Sequence, residues 1–255
     1  MLTIRQDQAD TFRKAALQKF EDEMVEHLKK SYAEHWKVMG EPDGRRVIQL
    51  GIEQSKKHGF TNRGPVRFYI ELMFMFGGYF DTDPQYPWAS AVLTNSENVD
   101  QSVRADRLYA AMNEYMSQVV EPEREHLRAA VQRLMQSRVE DVLKPGMNLE
   151  EMILQMLRSI CPIRCEYSGD SVLRALVQHG FGLARRYGFT TDKGMVLMVV
   201  LTFAVGHGFY KDPLNGWIVR RLENPRWPDV NKRVDDLTSK SLLYLKHILA
   251  NRSET

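Results

Sequence analysis

The chain has 255 residues, of which 43% are apolar and 27% charged, with a formal net charge of +2. That length supplies one large core or two smaller ones. The near-balanced charge argues against a nucleic-acid binder, which concentrates basic residues on one face. The first twenty residues carry Arg5, Asp7, Asp10, Arg13, Lys14 and Lys19, so no signal-peptide core fits there. The longest apolar run, Met195 to Val205, is far shorter than the ~20 residues that span a bilayer. Cys161 and Cys165 make no disulfide framework. The expected setting is the cytoplasm, with no membrane or nucleic-acid partner.

In chain order, the first predicted element is a long helix over 4–38. Phe12, Ala16, Phe20, Met24, Leu28, Tyr32 and Trp36 recur at every fourth position, read as one apolar stripe. Gly40 to Gly44, "GEPDG", breaks it. A second helix over 45–58 stops at Gly59, a residue suited to a left-handed cap. Thr61 is placed to cap a third helix over 62–78, which ends near Gly77-Gly78. Asp83-Pro84 reads as the start of a short fourth helix, with Asp83 at the N-cap and Pro84 at the first helical position. A fifth helix is expected over 100–119, with Leu108, Met112, Tyr115 and Val119 inward. A charged amphipathic helix is expected between Glu121 and the Lys144-Pro145-Gly146 stop. Asn148 with Glu151 fits a capping box that opens the next one.

The remaining elements repeat the first set. Sliding the sequence by 212 − 83 = 129 positions places Asp212 on Asp83, Pro213 on Pro84, Trp217 on Trp88 and Phe209 on Phe80. Twelve of 42 positions from 47 to 88 are then identical without a gap, including Gly51 on Gly180 and the "GFT" at 59–61 and 188–190. Self-similarity on this scale calls for dividing the chain before assigning a fold. The expectation is an all-α protein of two tandem homologous units, 1–120 and 121–255, packed together. The fifth helix has its counterpart over 229–250, with Val234, Leu237, Leu242, Leu245 and Ile248. The shared motif F-x-x-D-P-x-x-x-W is read as scaffolding. Asp81 and Asp83 as a metal or acid/base pair is disfavoured, because Asp81 becomes Tyr210 in the second copy.

Where the copies differ, function has room. Arg67 and Glu71, one turn apart and able to pair, become Val196 and Val200, which gives the second copy's third helix an apolar face. Val196 and Val200 are the candidate partner surface, to be covered by the rest of the chain, by another protein or by a second copy. His207 is the best single candidate for a functional histidine, though capping or packing accounts for it. No G-x-S-x-G, H-E-x-x-H or C-x-x-C motif occurs. Cys161 and Cys165 lack two further ligands for a metal, and the Gly180–Gly188 stretch lacks the dinucleotide spacing. No catalytic, cofactor or metal residues are assigned, and the expectation is a non-enzyme. The alternative is a small-molecule binder or enzyme, with the thirteen methionines lining a cavity between the units.

The stretches "MLTIRQDQADTFRKAALQKFEDEMVEHLKK", "GIEQSKKHGFT" and "YIELMFMFGGYFDTDPQYPWA" resemble a family of uncharacterised bacterial helical proteins. The resemblance covers about residues 2 to 95 and rests on Phe20, Met24, His27, Leu28, Asp81, Asp83, Pro84, Pro87 and Trp88. Genes of that family often lie near those for type VI secretion spikes and effectors. The resemblance implies an accessory, adaptor or immunity protein with an effector or secretion component as its partner. It brings no catalytic residues.

Overall fold

A computed structural model describes residues 6–95, 99–122, 148–223 and 229–251. Among these every regular element is helical, so the protein is all-α. α1 (Gln6–Ser31) and α2 (Ala33–Lys57) lead into α3 (Arg63–Phe76). A 3₁₀ turn (Phe80–Thr82), α4 (Pro87–Leu93) and α5 (Gln101–Tyr115) follow, and α5 runs on into a π-helical turn (Met116–Val120). After the break come α6 (Leu149–Ile160), α7 (Pro162–Ser168), α8 (Asp170–Arg186) and α9 (Asp192–Val205). Two 3₁₀ turns (Phe209–Lys211, Pro213–Asn215), α10 (Gly216–Leu222) and α11 (Val230–Asn251) complete the chain. The helix expected from Glu121 to the Lys144-Pro145-Gly146 stop falls almost wholly outside the described residues, as do the side chains of Leu245 and Ile248.

Element bounds recur at the 129-residue offset. α3 maps onto α9, Phe80–Thr82 onto Phe209–Lys211 and α4 onto α10, each end to end. The six described glycines with positive φ fall into three pairs at the same offset: Gly40 and Gly169, Gly59 and Gly188, Gly77 and Gly206. At each pair a helix ends or kinks through a left-handed residue, where a Cβ would be strained. Gly51 and Gly180 have another role. A Cβ on Gly51 would meet Ile70 Cγ1 at 2.5 Å, and one on Gly180 would meet Val199 Cγ2 at 2.6 Å. Only glycine lets α2 close on α3, and α8 on α9, to this distance.

The single helix expected over 4–38 is corrected. α1 stops at Ser31, and Tyr32 leaves the helical region at φ −131. The break expected at "GEPDG" is a kink at Gly40 (φ 79, ψ 165), beyond which the helix resumes with Pro42 in its first turn. The fourfold spacing is not one stripe. At 3.6 residues per turn each step of four drifts by about 40°, so Phe12 and Leu28 lie about 160° apart. Phe20, Met24 and Leu28 are buried, whereas Phe12 is 67% exposed. The third helix is entered through Asn62, not Thr61. The amides of Thr61 and Asn62 both donate to Gln101 Oε1, at 2.7 and 2.8 Å. Asn148 caps α6 through the amide of Glu150 at 2.8 Å, and Glu151 pairs instead with Arg174 at 2.8 Å.

One core cluster unites α1 to α5. A second lies between α9, α10, α11 and the end of α8, and a third between α6, α7, α8 and α9. Ile163, Tyr167 and Leu214, from late in the chain, pack against the first cluster. No described helix is long and apolar enough to cross a membrane.

Candidate functional site

The repeated motif builds the place where early and late segments cross. α3 ends at Gly77 and α9 at Gly206, and the chain leaving each helix runs against the other. A Cβ on Gly77 would lie 2.8 Å from the Val205 carbonyl, and one on Gly208 would lie 2.6 Å from the Tyr79 ring. Asp83 Oδ1 accepts from the Gln85 amide at 3.0 Å, and Asp212 Oδ1 accepts from the Leu214 amide at 3.0 Å. The other oxygen of each carboxylate crosses to the opposite corner. Asp83 Oδ2 accepts from the His207 amide at 2.8 Å, and Asp212 Oδ2 accepts from the Gly78 amide at 2.7 Å. His207 is the 129-offset partner of Gly78, so the two bonds are reciprocal.

This corrects the helix-start reading at Asp83-Pro84, where Asp83 caps a tight turn and α4 begins only at Pro87. At Asp212-Pro213 the reading holds, because Asp212 caps the short 3₁₀ helix Pro213–Asn215 with Pro213 at its first position, and α10 follows at Gly216. Phe80 and Phe209 are each 1% exposed, and Trp88 and Trp217 each 8%. Pro84 is exposed and Pro213 half-buried on the outer side of the same turns. The crevice along the crossing, lined by residues 76–79 and 205–209 with both aspartates, has no interior room for a bound molecule.

The two carboxylates are chemically unlike. Burial pushes Asp83 up, but bonding from the His207 side chain and from the Gln85 and His207 amides outweighs it, and the carboxyl ends below the usual range. His207 Nδ1 lies 3.2 Å from Asp83 Oδ2. Burial pushes Asp212 up to about 6, because the Gly78 and Leu214 amides and the Asn215 side chain offset it only in part. His207 thus serves the crossing twice, by amide and by ring, and its carbonyl accepts from His179 Nε2 at 3.0 Å.

Asp81 and Asp83 do not act as a pair. Asp81 Oδ2 turns to His58 Nε2 at 2.9 Å. Burial raises its carboxyl, and bonding from His58 and Tyr69 more than reverses that. The His58 contact escapes sequence reasoning because it joins positions 23 apart with no shared period. The same holds for Asp43, which is nearly buried and bonds Arg220 at 2.7 Å from the far half of the chain.

Val196 and Val200 are both half-buried on α9. Their first-half equivalents, Arg67 and Glu71, bond at 2.9 Å, and Glu71 also meets His27 of α1 at 2.7 Å. The offset partner of His27 is Met156 on α6. Met156 and Val196 both pack against the third core cluster. The polar cluster between α1 and α3 thus has apolar residues at the equivalent positions of α6 and α9, two of them packed against the third core cluster. Cys161 and Cys165 are buried and unbridged. Among the described residues no three potential ligand side chains gather as a metal site.

Comparison with protein-family models, with curated proteins and with solved structures finds no match for this chain.

Proposed function

We propose that this is a non-enzymatic protein-binding protein, built as two related helical units and acting in the cytoplasm. The observation that carries the reading is on α1. From Asp7 to Lys19 every residue whose side chain is described is exposed, including Phe12 at 67% and Leu17 at 44%. An exposed helix that presents large apolar side chains is a common docking element. A supporting point is that the aspartates of the repeated motif are engaged in holding early and late segments together. The resemblance of residues 2 to 95 to the type VI-associated family favours an effector or secretion component as the partner, with this protein as its accessory, adaptor or immunity protein.

The test is co-expression with the proteins encoded beside its gene, followed by size-exclusion chromatography. A stable complex is expected with one of them. Phe12→Ser with Leu17→Ser is expected to weaken it about tenfold or more, about 1.4 kcal/mol. Elution alone in every combination, or a complex indifferent to the double variant, would overturn the reading.

A further inference from the structure

Beside the crossing, five side chains from three separate segments alternate aromatic and cationic. Lys211 Nζ lies 4.1 Å from the Tyr79 ring centre and 5.9 Å from that of Tyr210. The Arg186 guanidinium lies 5.3 Å from the Tyr210 ring and 5.7 Å from the Tyr187 ring. The row therefore reads Tyr79, Lys211, Tyr210, Arg186, Tyr187. Both cations are exposed and the three rings half-buried. Among the described residues no carboxylate lies within ion-pairing distance of either cation. Of the nearby acids, Asp81 is engaged with His58 and Asp212 with amides, and exposed Glu223 stands beside Tyr187 at the far end of the row.

The row is particular to this side of the molecule. At the 129-offset positions the first half has Lys57, His58, Asp81 and Thr82. There a half-buried His58 pairs with buried Asp81, where the second half has Tyr187 and Tyr210.

We infer that this row docks an acidic segment of a protein partner. The inference rests on the protein-binding reading above and names the chemistry of what is bound. Two cations held by aromatic faces have lost side-chain freedom before binding, which lowers the cost of engaging carboxylates. The Tyr210 ring between them adds apolar contact for the methylene groups of glutamate-type side chains. A small anion is disfavoured because the neighbouring crevice has no interior to enclose it. Nucleic acid is disfavoured because phosphate-driven affinity grows with the number of phosphates neutralised, and only two cations lie in the row.

The probe is a fluorescein-labelled hexaglutamate peptide, titrated by anisotropy into the full chain at low salt. Saturable binding is expected, weakening as salt rises. Lys211→Gln with Arg186→Gln is expected to weaken it about tenfold or more, and Tyr210→Leu to weaken it with the charge intact. Lys56→Gln with Lys57→Gln, on the first-half surface, should leave it unchanged. Absence of binding, equal loss in both lysine–arginine and lysine–lysine variants, or stronger binding of oligothymidylate than of hexaglutamate would overturn the proposal. A partner complex that survives Lys211→Gln with Arg186→Gln but is lost with Phe12→Ser would overturn this site and leave the protein-binding reading standing.

Discussion

The carboxylate of Asp83 accepts the backbone amide of His207 at 2.8 Å, although 124 positions separate them in the chain. Its counterpart, Asp212, returns the same bond to Gly78 at 2.7 Å. The stability of this crossing is open to direct test.

Gly78→Ala should be costly. Its Cβ would stand 2.5 Å from Asp212 Oδ1, in a buried setting where neither backbone nor carboxylate has room to yield. Overpacking of this kind costs about 1–3 kcal/mol, before any loss of the amide bond. Gly64→Ala is the control, since nothing lies within 4 Å of its Cβ position. That change should be neutral or slightly stabilising. Urea midpoints of the two variants check both outcomes.

Asp212 should give the protein a pH-dependent stability term of unusual direction. Its folded value, about 6, lies above the ordinary 3.8. The folded state therefore holds the proton more tightly than the unfolded chain. This stabilising contribution is complete below pH 3.8 and is lost as pH rises through 6, amounting to about 3 kcal/mol at most. Asp83 has the opposite sign. Its lowered value makes its contribution present above pH 3.8 and lost on further acidification. Subtracting the stability profile of Asp212→Asn from that of the parent isolates the first contribution. A difference that stays flat between pH 4 and 7 would contradict it.

His207→Ala should remove the imidazole that holds Asp83 down while keeping the amide bond. The expected loss is about 1–3 kcal/mol at neutral pH. The Asp83 carboxyl should rise, read from its carbon chemical shift in a pH titration by NMR. A stability loss with no movement of that titration would mean that the ring acts only by filling space.

Val200→Glu should destabilise, because it places a charge at a half-buried position of α9, at a cost of about 1–3 kcal/mol. Adding Met156→His and Val196→Arg transplants the His27–Arg67–Glu71 cluster whole, and should restore part of the loss. Chemical denaturation of the single and triple variants measures that coupling.

Much of the fold was legible because helices announce themselves locally. Gly59 and Gly77 end helices where left-handed residues are needed, and the copied "GFT" and D-P-x-x-x-W segments keep the element order in both halves. Period alone misled at α1, where a spacing of four drifts round the helix and carries Phe12 off the buried side. Thr61 sits one residue before the helix entry at Asn62, and Gln101, forty positions on, accepts the amides of both. The reciprocal bonds of Asp83 and Asp212, the turn of Asp81 toward His58, and the Tyr79–Lys211 contact all depend on which segments meet. No window of sequence contains that information. The one usable signal was comparison of the copies, where Gly78 against His207 and Asp81 against Tyr210 mark the sites of divergent chemistry.

Donor and acceptor alternate across the crossing so that each corner is completed by the other. This is the bonding pattern of an isologous dimer, in which a patch meets its own copy about a twofold axis, written here within one polypeptide. Residues 1–120 produced alone would carry both the Gly78 amide and the Asp83 carboxylate, a self-complementary set. Such a fragment should pair with itself, and analytical ultracentrifugation would find it at twice its mass.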